Sequence, residues 1–324
     1  MKVFVTGASG LLGGRLAQVL ASRGDFVRIL ARPSNDLRHL AGLPIEVVHG
    51  TLADSSILRS AMAGITHVFH CAARAADWGS WRSFHDPNVA GTENVLRAAA
   101  ECATLDRFLH VSTTDVYGYP VHPCDESQPM LDVGLPYNRT KCLAERAVWG
   151  SGLPVAVVRP ATIYGPRSVP FGSELAKLIR QGLMAVIDGG RAPGGFLYVD
   201  NAVDGLIAAA TAPGSLGRAY NLSDGTGVTW RNYVDRLAAG IGQRRPGIDL
   251  PSGAAVALAA ACEAPQRCLG IPWRPLLTRH AVYLLSRDQE FPIGRARAEI
   301  EFSPAVSFDE GLSRMVEWLG SGSS

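Results

Sequence analysis

Apolar residues recur along the first half of the chain with two periods, and the periods take turns. Short β-branched and aromatic runs at residues 2–5, 26–30, 45–49, 68–73 and 108–111 have the length and composition of buried strands. Between them, Leu12, Leu16, Val19 and Leu20 recur at helical spacing. Residues 52–62 lead into a second helix, and residues 88–103 carry Val89, Val95, Leu96 and Ala99 on the inner face of a third. Strands alternating with helices at such short spacing predict an α/β architecture, a parallel sheet covered on both faces. A further helix opens at Tyr137 and runs through Leu143, Ala144 and Val148.

Past Gly165 the pattern changes. Amphipathic helices are predicted over 173–180, 199–211 and 230–241, separated by glycine-rich turns, and a last one ends near Leu319. The expected organisation is a first domain over 1–165 and a smaller, mainly helical second domain over 166–324, with the stretch near 196–225 able to return to the first. The Ala-rich region 251–279, which contains Trp273, reads either as a cap over a cleft or as a surface helix pair.

Two stretches carry chemistry. Residues 2–14 read as strand, glycine turn and helix start, with Gly7, Gly10 and Gly13 between the two apolar patterns. In such a turn the first glycine permits the bend, the second lets backbone approach a phosphate, and the third lets helix and strand pack closely. The free N–H groups of the following helix then face an anion, so Gly7, Ser9, Gly10, Leu11, Leu12 and Gly13 are expected to hold the pyrophosphate of a dinucleotide. About 20 residues on, where an acid would meet the ribose of NAD, stands Arg32 followed by Ser34 and Asn35. A guanidinium suits a 2′-phosphate, so NADP is the expected cofactor, with NAD the alternative if Arg32 is only a surface residue. Ala72 and Ala73, small residues at a strand end, leave room for the cofactor to lie close. His70 reads as a packed strand histidine rather than a base.

The second stretch is Tyr137-Asn138-Arg139-Thr140-Lys141, which places a phenol and an ammonium on one helix face. A free phenol, with a pKa of about 10, is a poor acid–base at neutral pH, and the neighbouring ammonium together with the positive charge of a bound nicotinamide is expected to bring it down. Thr113, at the end of the strand over 108–111, would add a hydroxyl beside a substrate oxygen. Trp78 and Trp81 lie on a predicted loop over 74–85, as the wall of an apolar pocket or as anchors of a long connection.

Composition narrows the partners. The chain has 324 residues, 47% hydrophobic and 19% charged, with a formal net charge of +2. No basic stripe suggests nucleic acid, no polybasic run suggests a membrane surface, and no window is long enough for membrane insertion. A small-molecule substrate is expected. The six cysteines lack metal-ligand spacing and read as reduced thiols, so no metal is expected. With the first strand at residue 2, no signal segment precedes it and a cytoplasmic location is expected.

Together these residues resemble the extended short-chain dehydrogenase/reductases. The resemblance rests on residues 6–13, on His70-Cys71-Ala72-Ala73, on Asn88-Val89-Ala90-Gly91-Thr92, on Tyr137 to Lys141, and on Arg159 to Pro166. It implies a Rossmann doubly wound parallel sheet with a smaller C-terminal substrate domain, and a homodimer. It makes Tyr137 the acid–base, Lys141 its tuner and ribose ligand, Thr113 the substrate-orienting hydroxyl, and Asn88 a helper. It places Pro160, Ala161, Thr162 and Ile163 near the nicotinamide. Thr51 and Leu52 stand where the family often has an acid for adenine, and Ser112 is a further cofactor candidate. Thr114 and Arg167 join Trp78 and Trp81 on the substrate side.

Thr114-Asp115 after Thr113 differs from the Asp-Glu pair of sugar dehydratases. Gly194-Gly195 lacks the charge that many nucleotide-sugar epimerases place there. The nearer likeness, through Asp77-Trp78-Gly79-Ser80-Trp81, Val199-Asp200-Asn201 and residues 284–291, is to 3β-hydroxysteroid dehydrogenase-like enzymes and ketone reductases of apolar or aromatic substrates. The expected activity is hydride transfer between nicotinamide C4 and a ketone or secondary alcohol. Its rivals are an NAD-dependent nucleotide-sugar epimerase and a non-catalytic dinucleotide-sensing protein.

Overall fold

The computed structural model describes residues 1–271 and 273–322. Strands β1 (Lys2–Thr6), β2 (Phe26–Ala31), β3 (Ile45–His49), β4 (His67–His70), β5 (Arg107–Val111) and β6 (Val155–Pro160) are all parallel to their neighbours. The sheet is completed by β10 (Ala219–Leu222), in the order β10-β6-β5-β4-β1-β2-β3. The chain reverses its direction of travel between β1 and β4, and in an open sheet the crevice at the carboxyl ends of such strands is where ligands bind.

The period-2 alternation within each strand sends side chains to two separate cores. Val3 and Val5 of β1 point to one, with Leu16 and Leu20 of α1 (Leu11–Ser22) and Val203 and Leu206 of α7 (Val199–Thr211). Phe4 points to the other, with Leu58 of α2 (Ser55–Ala61), Val95 and Leu96 of α4 (Gly91–Ala100) and Val148 of α5 (Pro136–Trp149). Val3, Phe4 and Val5 are fully buried, as a strand covered on both faces requires. The helix over 199–211 therefore packs on the large sheet, and Arg15 of α1 meets Asp200 of α7 at 2.6 Å.

A second layer gathers beyond β6. The pair β7 (Thr162–Tyr164) and β9 (Phe196–Tyr198) leads into an aromatic core with α8 (Trp230–Gly240) and α12 (Phe308–Gly320). There the rings of Phe196 and Tyr233 stack 4.2 Å apart. Between these lie α6 (Glu174–Arg180), β8 (Ala185–Ile187) paired with β11 (Ile248–Leu250), then α9 (Ser252–Cys268), α10 (Arg279–Ser286) and α11 (Gly294–Ile300).

The stretch over 74–85 is only partly a loop. Ser80 caps a short helix α3 (Trp81–His85), its hydroxyl accepting from the Ser83 N–H. A wide π-type turn, Asp86–Ala90, then joins α3 to α4, where an uninterrupted helix from Asn88 was expected. Such turns recur at functional sites, and this one carries Asn88.

Candidate active site

The carboxyl end of β1 opens into the glycine turn. Gly7 has φ +78°, and a Cβ there would lie 2.7 Å from the Ala72 nitrogen, so β1 and the end of β4 come together only because this residue is glycine. A Cβ on Gly13 would lie 2.5 Å from the Gly7 carbonyl oxygen, which fixes how closely α1 packs on the turn. Gly10 caps α1 with no side chain, leaving the first N–H groups of the helix for a ligand. The cradle therefore fits a pyrophosphate.

Around it, the Arg32 backbone N–H donates to Asn35 Oδ1 at 2.9 Å, folding the segment after β2 into a tight turn. The guanidinium of Arg32 has no protein partner among the described residues, whereas Arg38 is held by Asp36. Ser34 is exposed beside it. Thr51 is engaged with Asp54, which accepts from both its N–H and its hydroxyl at 2.7 Å, and Leu52 packs over Gly91. Arg167, assigned from sequence to the substrate, instead donates to the Ser9 carbonyl at 3.1 Å and belongs to the glycine turn. His39, which sequence reasoning missed, also reaches that turn through the Ala8 carbonyl at 3.0 Å. It lies between elements too far apart in sequence to leave a local signal.

Tyr137 and Lys141 open α5 beside the end of β5. Tyr137 is half-buried; burial and the nearby Asp115 carboxylate push its phenol well above the ordinary value, and a hydrogen bond with Thr113 works against them. Lys141 is not among the groups that shift the phenol here. The Lys141 ammonium is turned to the Val111 carbonyl, 2.7 Å away, with His110 Nε2 at 3.5 Å. Burial lowers its pKa to about 8, against the pull of Glu145.

That shift, from 10.5 to about 8, corresponds to roughly 3 kcal/mol of destabilisation, and a substitution that removes the ammonium sets against it about 1 for leaving the Val111 carbonyl unpaired. The folded chain gives up this proton more readily than the unfolded one. The penalty is therefore complete below about pH 8 and gone above the ordinary lysine value. Lys141→Met is expected to be about 2 kcal/mol more stable than wild type at pH 7 in urea titrations. The gap should close as the pH rises toward 10.5.

Under this pair lies a rigid polar base. Glu145 is fully buried and accepts from Arg159, from the Ser112 hydroxyl at 2.5 Å and from Trp149 Nε1 at 3.1 Å. Arg159 also donates to Tyr117, whose hydroxyl donates to Asn221 Oδ1 at 2.8 Å. Ser112, a predicted cofactor residue, is thus tied beneath the site. Asn88 Oδ1 accepts from the Arg74 N–H at 2.7 Å and its amide nitrogen donates to Thr140 at 3.1 Å, so it fixes the segment after β4 against α5. His70 sits between Thr6 and Thr92 at 2.8 and 2.9 Å, its pKa lowered to about 3 mainly by burial, as a packed strand histidine. Ala72 and Ala73 follow β4, while Pro160 to Ile163 cross from β6 to β7, with the Thr162 hydroxyl buried and unpartnered.

The face of Tyr137 is covered by residues the sequence gave no reason to bring together. His280 of α10 stacks on its ring, 5.8 Å between centroids, and places Nε2 3.3 Å from Asp115, which also receives the Tyr119 hydroxyl at 2.6 Å. Thr114 is buried beside Asp115. A narrow cleft next to Tyr137 is lined by Trp78, Phe84 and Leu135 together with Glu263 and Arg267 of α9. Arg267 lies over the Trp78 ring, whereas Trp81 stands under Arg139 and is 40% exposed. Asp77 holds the covering segment down through Arg274, at 2.7 Å, and Thr278, at 2.8 Å. All six cysteines are free, and among the described residues no group of three His, Cys, Asp or Glu is placed to hold a metal ion.

A glycine turn at the switch point of a parallel seven-stranded sheet, facing a Tyr–Lys helix, is the arrangement of dinucleotide-dependent oxidoreductases. The profile of the NAD dependent epimerase/dehydratase family matches residues 3–223, and the chain belongs to that family, the extended short-chain dehydrogenase/reductases. It is an NAD(P)-dependent enzyme of that class. It is 33% identical to a 2-alkyl-3-oxoalkanoate reductase of Stenotrophomonas maltophilia, over 97% of this chain and 98% of that one. It is 36% identical to a 4-hydroxy-2-methyl-3-oxo-4-farnesyl-3,4-dihydroquinoline-1-oxide ketoreductase of Stigmatella aurantiaca, over 97% and 96%. In fold it is similar to the UDP-glucuronic acid 4-epimerase of Bacillus cereus solved with NAD, with a TM-score of 0.77 at 21% identity over 99% of both chains.

Proposed function

We propose that this enzyme is an NADP-dependent reductase of ketones carried on apolar, long-chain or aromatic frameworks, with Tyr137 as the proton donor. The observation that carries the reading is the position of Tyr137, in the wall of the cleft that Trp78, Phe84 and Leu135 line, with Lys141 one helical turn further along α5. Burial and Asp115 keep the phenol protonated, so it has a proton to give to a carbonyl oxygen placed beside it. The bound dinucleotide supplies the hydride. Tyr137 gives its proton to the carbonyl oxygen as the carbon is reduced, and the Thr113 hydrogen bond favours the phenolate left behind. Lys141 adds a buried positive charge behind the phenol and is the residue to hold the nicotinamide ribose. Asn88 keeps α5 and the segment after β4 in register for both.

The apolar lining by Trp78, Phe84 and Leu135 and the names of the two reductases, both acting on oxo compounds with alkyl or farnesyl chains, support the substrate class. The same reading takes the protein as a cytoplasmic homodimer acting on a small molecule. It takes residues 1–165, with 196–225, as the cofactor half and the remainder as the substrate half.

NADP over NAD rests on Arg32, whose guanidinium is free for a 2′-phosphate. Arg32→Ala is expected to weaken NADPH binding by about 10–100-fold, the worth of a charge-assisted contact, while leaving activity with NADH unchanged. Fluorescence titration with both dinucleotides reads this directly. Unchanged NADPH affinity would remove the basis for the assignment.

A further inference from the structure

The outer face of the cap over the cleft is apolar in a way that neither core nor catalysis explains. Helix α9 buries Ala255, Ala259 and Glu263, spaced four apart, against the body of the protein. Another stripe, spaced four, three and four residues apart, carries Ala254, Leu258, Ala261 and Pro265, all exposed and none charged. Beyond the end of α9 the apolar surface continues with Leu269, Trp273 and Leu276, which stand 74%, 77% and 71% exposed. Large side chains so far out of the surface are knobs, not the walls of a groove. Three large apolar side chains so exposed within one short segment mark contact with a membrane or a partner.

We infer that this cap, formed by α9 with residues 269–271 and 273–276, docks on the surface of an anionic lipid bilayer. Charge argues for that occupant over a second copy of the chain. Residues 251–287 hold four arginines and a single acid, Glu263, in a protein whose 31 basic and 29 acidic residues are otherwise nearly balanced. Glu263 is itself buried between Arg267 and Arg279, and Asp77 pairs with Arg274, so four arginines face two acids and the segment keeps a net positive charge around its apolar knobs. Apolar side chains flanked by arginines are the pattern of segments that lie in the plane of a bilayer, and a lipid surface accepts protruding side chains without a complementary hollow. Among the described residues no helix is long and apolar enough to cross a membrane, so the contact is peripheral. Because α9 also supplies Glu263 and Arg267 to the cleft beside Tyr137, docking would bring that cleft to the lipid phase.

The test needs no turnover and is therefore independent of the reductase reading. Full-length protein is sedimented with vesicles of phosphatidylcholine and phosphatidylglycerol, with vesicles of phosphatidylcholine alone, and without lipid. The wild type is expected in the pellet with the anionic vesicles, less with the neutral ones and less again at high salt. In Leu269→Glu/Trp273→Glu/Leu276→Glu the bound fraction should correspond to an affinity at least about tenfold lower, with an unchanged thermal midpoint. The tryptophan emission of the wild type should shift to the blue on adding anionic vesicles, and that shift should be lost in Trp273→Phe, a substitution mild enough to keep the fold. Failure of the wild type to bind either vesicle would overturn the inference. So would equal binding by the triple variant, a blue shift retained in Trp273→Phe, or a wild-type dimer that the triple substitution converts to monomer.

Discussion

Tyr137→Phe lowers the rate of ketone reduction by about 10²–10⁴-fold and leaves dinucleotide affinity as it was. The substitution removes one oxygen, and that oxygen is the proposed proton source. The ring stays, so its stacking on His280 and the packing of α5 are retained. Cofactor contacts are assigned to the glycine turn and to Lys141, neither of which depends on the phenol. The expected signature is thus a fall in kcat with NADPH binding by fluorescence unaltered. A protein whose Tyr137 served only as structure would lose stability instead, and a dinucleotide sensor would show no turnover to lose.

Glu145→Ala costs about 3–5 kcal/mol of stability, the largest effect expected from a single substitution outside the reacting groups. Glu145 is fully buried, and its carboxylate is the anionic partner of Arg159, itself only 6% exposed at the side chain. Removing the carboxylate leaves a guanidinium without its counter-charge, and leaves Ser112 and Trp149 without an acceptor. The arginine's pKa is raised by this pairing against the opposing effect of burial, which is why losing the acid hurts more than losing a surface pair would. Urea titration should show the midpoint shifted far down or no folded baseline at all. In contrast, Glu145→Gln, which keeps the shape and some of the hydrogen bonds, should recover part of the loss.

Local chemistry was readable where local geometry sets it. The turn from Gly7 to Gly13 needs nothing beyond its own residues and the next strand, and a Tyr and Lys four apart share a helix face wherever the helix sits. The short apolar runs likewise announced β1 to β5 of the large sheet, but not β6 or β10. What was not readable depends on tertiary meetings. His280 lies 143 positions from Tyr137 in the chain, and no local pattern at 280 marks it as a neighbour of a catalytic group. The Asp77–Arg274 pair joins a loop to the cap across the cleft and is equally silent in sequence. Arg167 was misplaced for a related reason: its φ of +71° turns the side chain back toward Ser9, which a residue after a Gly-Pro pair does not announce. Helix spacing puts Tyr137 and Lys141 on one face without saying where their tips point. Here the ammonium satisfies the Val111 carbonyl.

The central claim is that hydride reaches a ketone carbon in a cleft where Tyr137 supplies the proton. A single turnover with NADPH deuterated at both C4 positions and a long-chain 3-oxo compound, analysed by mass spectrometry of the product, tests it most directly. One deuterium on the carbinol carbon of the alcohol, formed by the wild type and suppressed in Tyr137→Phe, is the result predicted. An alcohol without the label, or no alcohol from any ketone while a sugar nucleotide is isomerised without net consumption of NADPH, would contradict it.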